Sequence, residues 1–486
     1  MIDNKLTKLL STLSRKELTR FREFVHSPYF NKHKEVRTLV RYFDKIYPRL
    51  DKGNCDREKI FKKIFPGEIH DQPKLAVVFT YTQKLIEDFL TLEQVREDKY
   101  LKNRLLLKGL RQRKQFKLYE SKLGKTKKSL EYHAIRDSSY HQREYQLAVE
   151  ADYFYTTIRR KGKDLSLDQQ LRSLDHYYLA EKLKSAVEVQ IRRKILKQEY
   201  LNPMMKPVLG AMEEYHHLYQ EIPAIDLYYR IFLMITEEET HYYFDALQTL
   251  QEKERFFPKE ELATIYNYFQ NYCIGQINSN NPAFLKEIFL LYQLQLQQEL
   301  IIDEGYLSDL HYKNIVTTGI RLQELEWVKQ FIEEYRVALR PAVRENAYSF
   351  NLASYYHAVG KYDEVLALLQ EVAYSDFRYN LGAKALLLRT YYEQGSFEAL
   401  YSLVDSFLQF LHRNEQLADS RRSGYYNLFR LTRRVAHLKA NLAYWNATKC
   451  QREWGRLQED IEDGKTIFNK TWLVQQLHKL NTGLTD

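Results

Sequence analysis

The chain has 486 residues, 44% of them hydrophobic, so it carries apolar surface for more than one core and is not a disordered chain. Its formal net charge is +10, from 74 basic and 64 acidic residues. The excess sits in one place: residues 101–130 hold eleven Lys or Arg against the single acid Glu120, and the rest balances near zero.

Glycine (16) and proline (10) are scarce, which favours long helices over many short strands. No proline falls between Pro73 and Pro203 or after Pro341, so helices there can run without the lost hydrogen bond and clash that proline imposes. The pattern predicts an all-α protein in four segments.

Residues 1–97 read as a helical bundle. Ser14-Arg15-Lys16-Glu17 fits a capping box, with Leu18, Phe21, Phe24 and Val25 on one face of the helix that follows. Ser27-Pro28 ends that helix. Asn31 is placed to cap the next one, which turns Val36, Leu39, Val40 and Phe43 inward. Asp56 caps a short helix, and a fourth runs from about Gln72 to Asp98 with Leu75, Val78, Phe79, Leu85, Phe89 and Leu92 as its apolar positions.

Residues 98–202 read as three or four long basic helices, with Lys161-Gly162-Lys163 as the clearest turn. From 203 to 412 the chain reads as helix pairs. Their turns fall near Glu237–Glu239, Ser279–Pro282, Gln323–Glu326, Gly360-Lys361 and Gly395-Ser396. Leu325, Gly360 and Gly395 stand 35 residues apart, as do Trp327, Tyr362 and Phe397. Asn351-Leu352-Ala353-Ser354-Tyr355-Tyr356 followed by Gly360-Lys361-Tyr362-Asp363-Glu364-Val365 resembles the tetratricopeptide repeat, and Leu387, Tyr391, Gly395 and Phe397 continue the likeness. That resemblance implies an α-solenoid with a concave face. Residues 413–486 are the expected capping helices. Near the N-terminus, Phe24-Val25-His26-Ser27-Pro28-Tyr29-Phe30-Asn31 resembles the opening of a group of uncharacterised helical proteins from Bacteroidota.

The sequence points to no catalytic residue, no cofactor and no metal site. Gly124-Lys125-Thr126 and Gly464-Lys465-Thr466 end like a phosphate-binding loop, yet Tyr119 and Glu459 stand where its first glycine belongs. His216 and His217 are adjacent, so on a helix they point about 100° apart and do not share an ion. Cys55, Cys273 and Cys450 are widely spaced and read as buried thiols of a reducing compartment. With no apolar leader at the N-terminus and no uncharged run near the ~20 residues of a membrane span, a cytoplasmic chain without membrane contact is expected.

Two surfaces remain as candidates for binding. The first is the basic segment, where Arg111, Arg113, Lys114, Lys117, Lys122, Lys125, Lys127 and Lys128 crowd together with Phe116 and Tyr119 between them. It fits nucleic-acid phosphates with aromatics for stacking, an acidic protein partner, or a solvated face of one long helix with Leu106, Leu110, Phe116 and Tyr119 inward. Arg421, Arg422, Arg430, Arg433 and Arg434 form a second basic cluster. The other candidate is the groove of the repeats. By the resemblance, a protein or peptide partner lies against Phe350, Ser354 and His357 in one repeat and Arg389, Tyr392 and Glu393 in the next. The same face could instead be packed by the chain's own C-terminal helices. Together these lead to a non-enzymatic scaffold for a protein or peptide. A nucleic-acid-binding repeat protein and a ligand-responsive regulator are the alternatives.

Overall fold

The computed structural model describes residues 5–51, 53–158, 165–371, 377–413, 419–463 and 466–482; the expected turn at Lys161-Gly162-Lys163 and the pair Gly464-Lys465 lie outside them. Among the described residues the chain is all-α, with twenty-three α-helices, one 3-10 turn and one two-stranded ribbon. It divides into two compact units, Met1–Glu188 with Glu199–Asp226, and Val189–Gln198 with Leu227–Asp486. No described helix is long and apolar enough to cross a membrane.

The first unit opens with α1 (Lys5–Thr12), α2 (Arg15–His26), α3 (Lys34–Ile46), α4 (Arg57–Ile64) and α5 (Gln72–Glu97). The capping box forms: Glu17 N donates to Ser14 Oγ at 3.2 Å, and Ser14 N donates to Glu17 Oε2 at 2.6 Å. Phe21, Val25, Leu39, Phe43, Leu75 and Phe89 meet in one apolar cluster, as their helical spacing requires. Asn31, however, does not cap α3. Its side chain is buried and braces the loop, accepting His33 N at 2.9 Å and donating to Val25 O at 3.0 Å, while His33 takes the cap position. On α5 the residue after Leu92 is the buried one: Glu93 sinks between Arg20 and Arg96, and two ion pairs make its burial tolerable.

The same unit continues with α6 (Lys99–Gln112), α7 (Phe116–Glu131), α8 (Ser138–Thr157), α9 (Leu165–Leu196) as far as Glu188, and α10 (Met205–Tyr219). The basic segment is thus a hairpin rather than one long helix. Neither Gly109 nor Gly124 makes the turn; both lie inside helices. Lys114 does, at φ 55°, with Gln115 N donating to Leu110 O at 3.0 Å in the six-to-one bond of a Schellman end.

The second unit holds α11 (Pro223–Thr236) from Leu227 onward, α12 (His241–Lys253), α13 (Lys259–Asn278), α14 (Phe284–Gln297), α15 (Asp309–Arg321), α16 (Leu325–Glu334), α17 (Arg344–Ala358), α18 (Tyr362–Glu371), α19 (Phe377–Gln394) and α20 (Phe397–Arg413). Three longer elements follow: α21 (Asp419–Asn441), α22 (Ala447–Glu462) and α23 (Lys470–Thr482). Helix α17 packs on its partner α18 and also on α15 and α19, so successive first helices touch.

The turns explain the sequence period and correct it. Gly360 (φ 77°) and Gly395 (φ 72°) take the left-handed position that favours glycine, and Lys361 N and Ser396 N donate to Tyr356 O and Tyr391 O, each at 2.9 Å. One hairpin earlier the same position belongs to Gln323 (φ 62°), with Glu324 N donating to Gly319 O at 3.0 Å. The second helices therefore start at Leu325, Tyr362 and Phe397, separated by 37 and then 35 residues. Leu325, not Trp327, corresponds to Tyr362. In this register Val328, Val365 and Leu400 are all buried, as are Ile332, Leu369 and Val404. Between α14 and α15 a ribbon of β1 (Ile302–Asp303) and β2 (Tyr306–Leu307) turns through Glu304 and Gly305, both at positive φ.

Candidate partner-binding surfaces

The α6–α7 hairpin separates its charges from its aromatics. Tyr119 is fully buried, stacks on Phe154 at 4.0 Å between ring centroids, and donates its hydroxyl to Glu150 O at 2.9 Å. Burial raises its phenol well above the ordinary value. Phe116 meets the same Phe154 edge-on. Both aromatics serve the core, so neither offers a stacking platform at the surface.

Arg111 is also drawn inward. It grips Glu150 with two bonds, Nε to Oε1 at 2.7 Å and Nη2 to Oε2 at 3.1 Å, and the side chains are only 20% and 10% exposed. The hydrogen bond to Glu150 holds its guanidinium pKa above the ordinary value. Arg111 therefore drops out of the candidate surface.

Arg113, Lys114, Lys117, Lys125 and Lys128 are exposed, while Lys122 and Lys127 are half-buried. Lys114, Lys117, Lys125 and Lys128 form no ion pair among the described residues. Leu106, expected inside, is 44% exposed, and Leu107 takes the buried position in its place. Leu105 and Leu118 are open as well, at 47% and 57%. The exposed residues of this hairpin thus include three leucines as well as lysines, a mixture that charge counting alone does not show.

Three of the five arginines in the second basic cluster are paired within the chain. Arg422 pairs with Asp419, Arg433 with Asp405, and Arg434 with Asp460. Along the repeats, most of the expected groove residues are likewise in use. Phe350 is buried, lies edge-on to Tyr379 at 5.7 Å, and fills the space that Gly382 leaves open; a Cβ there would come within 2.9 Å of its ring. Ser354 Oγ donates to Phe350 O within its own helix at 2.9 Å. Tyr392 is buried edge-on to Trp472 of α23, with the Lys439 ammonium 4.5 Å from its ring centre. Glu393 Oε1 accepts both Trp472 Nε1 and Gln476 Nε2 at 2.9 Å. Helix α23 therefore occupies the face of α19 where a ligand was expected.

His357 and Arg389 are the exception. His357 Nε2 and Arg389 Nε are buried atoms that find no hydrogen-bond partner among the described residues. Burial, and secondarily the Arg389 charge, depresses the imidazole to about 3. Burial lowers the Arg389 guanidinium to about 10, with Glu393 opposing that shift.

Elsewhere, His216 is engaged by Asp226 at 3.2 Å, and Cys55, Cys273 and Cys450 are free and buried. Burial pushes the Cys273 thiol up to about 12, so it stays protonated and unreactive at neutral pH. Thr126 follows Gly124-Lys125 inside α7 and donates to Lys122 O at 2.8 Å, a helical side-chain bond rather than part of a phosphate loop. No protein-family model, curated protein or solved structure matches the chain.

Proposed function

We propose that this chain is a non-enzymatic helical scaffold of tetratricopeptide-like hairpins, and that its partner is a protein segment bearing acidic and apolar side chains. The observation that carries this reading is the exposure of Leu105, Leu106 and Leu118 on the same α6–α7 hairpin as the exposed lysines. Apolar side chains lose water on docking and supply the non-directional part of affinity, while the lysines select an acidic partner and steer its approach. A nucleic-acid strand would use the charges but would leave the leucines idle and find Phe116 and Tyr119 turned away. The repeat groove supports the reading less, because α23 already fills it at α19.

Quantitative affinity purification of the full chain from its native lysate, beside a Lys117→Glu, Lys125→Glu, Lys128→Glu variant and a Leu105→Ser, Leu118→Ser variant, tests it. A stoichiometric protein retained by the unaltered chain and lost from both variants is the expected result. Recovery of nucleic acid sensitive to the lysine changes but not to the leucine changes would replace this reading with the nucleic-acid one. A partner retained by both variants would move the site away from α6–α7.

A further inference from the structure

Helices α8 and α9 bring together two histidines and a carboxylate that no motif announced. His141 and Glu144 are three residues apart on α8 and so share a face; His176 comes from α9. Each can offer one ligand atom, and the three atoms lie within 4.8 Å of one another. His141 Nδ1 and Glu144 Oε2 already stand 3.1 Å apart, close to the roughly 3.3 Å between two ligands on a tetrahedral zinc ion. The His141 and His176 rings meet edge to face at 5.6 Å.

We propose that His141, Glu144 and His176 form a binding site for a divalent first-row transition metal, with zinc as the best fit. Two imidazoles and one carboxylate are the donor set such ions select over calcium or magnesium, which prefer oxygen alone. The His141 side chain is only 5% exposed, and its Nδ1 faces Glu144 rather than water.

The surroundings suit a bound cation. Tyr140 donates its hydroxyl to Glu144 Oε1 at 2.9 Å, orienting the carboxylate from behind as an outer-shell bond does. A bound ion would draw the three ligand atoms, which lie within 4.8 Å of one another, to roughly 3.3 Å apart. Three protein ligands leave a fourth position for water or another donor.

Untagged full-length protein stripped with chelator and titrated with zinc by calorimetry, and with cobalt by visible absorption, tests the site. One ion per chain is expected, weakened more than about tenfold in His176→Gln and in Glu144→Gln, and unchanged in His216→Gln. Circular dichroism of each variant checks the fold. Should one variant unfold, the other decides. Absence of a saturable one-to-one site in the unaltered chain, or binding that survives in the folded variants, would overturn the proposal.

Discussion

The α6–α7 hairpin and the α19–α20 hairpin use charge in opposite ways. On α19 the acid at the surface is enclosed: Glu393 accepts from Trp472 and Gln476, and Tyr392 is walled in by Trp472 and Lys439. On α7 the cations stay in water, and the inward face is served by Tyr119, Phe116 and the Arg111–Glu150 pair. The hairpin that continues the tetratricopeptide likeness is therefore the one whose surface the chain itself consumes. The hairpin with no recognisable pattern keeps a surface to spare.

If that contrast is right, the largest effect comes from uncovering α19. Trp472→Ala removes the ring that covers Tyr392 and the donor that holds Glu393, and is expected to cost about 3 kcal/mol. Chemical denaturation should show the loss, and protease should cut in 466–482 first. An unchanged midpoint would mean that α23 contributes nothing to the face it covers. Next comes the ion pair under α6. Glu150→Gln leaves the Arg111 guanidinium facing a neutral amide in a mostly buried place, and about 2 kcal/mol should be lost. Arg111→Met in the same background should restore part of it, because the uncompensated charge is then gone. A smaller effect depends on pH. His357 has a folded value near 3, below the ordinary value, so the unfolded chain takes up its proton first. Its contribution is complete above about pH 6.5 and is lost as pH falls from there toward 3, by about 1 kcal/mol at pH 5.5. Denaturation of the unaltered chain and of His357→Asn at pH 7.5 and 5.5 isolates it: the histidine chain should lose more stability on acidification.

Much of the fold was legible because local signals and tertiary packing agree. Ser14 and Glu17 form their box, Asp56 caps α4 by accepting Lys59 N at 2.9 Å, and four of the five expected hairpin turns fall between helices, the fifth, Gln323–Glu326, running into the first turn of α16. The failures share a cause, which is that spacing counts residues and cannot see a partner far along the chain. Gln323 adopts a left-handed turn without being glycine, which shifted the register of one hairpin by two residues. Leu106 and Leu107 are neighbours, and only the placement of α8 decides which is buried. Glu150 lies 39 residues beyond Arg111, so nothing near the arginine announced that it is already paired. His141-Gln142-Arg143-Glu144 was visible as a His-x-x-Glu pair on one helical face, but His176 reaches it only through the packing of α9.

The smallest effect is the sharpest for the comparison. Lys117, Lys125 and Lys128 are exposed and unpaired among the described residues, so the folded chain has no ion pair that depends on their sign. Reversing all three removes six units of positive charge from a segment of net +10, which relieves self-repulsion within the hairpin. The stability change should stay within about 0.5 kcal/mol and lean toward stabilisation at low salt. The same three changes should abolish partner retention. A protein that keeps its fold and loses its partner under one set of substitutions has charges maintained for something outside itself. A large loss of stability would instead show that the α6–α7 lysines, like Glu393 on α19, are already engaged by the chain.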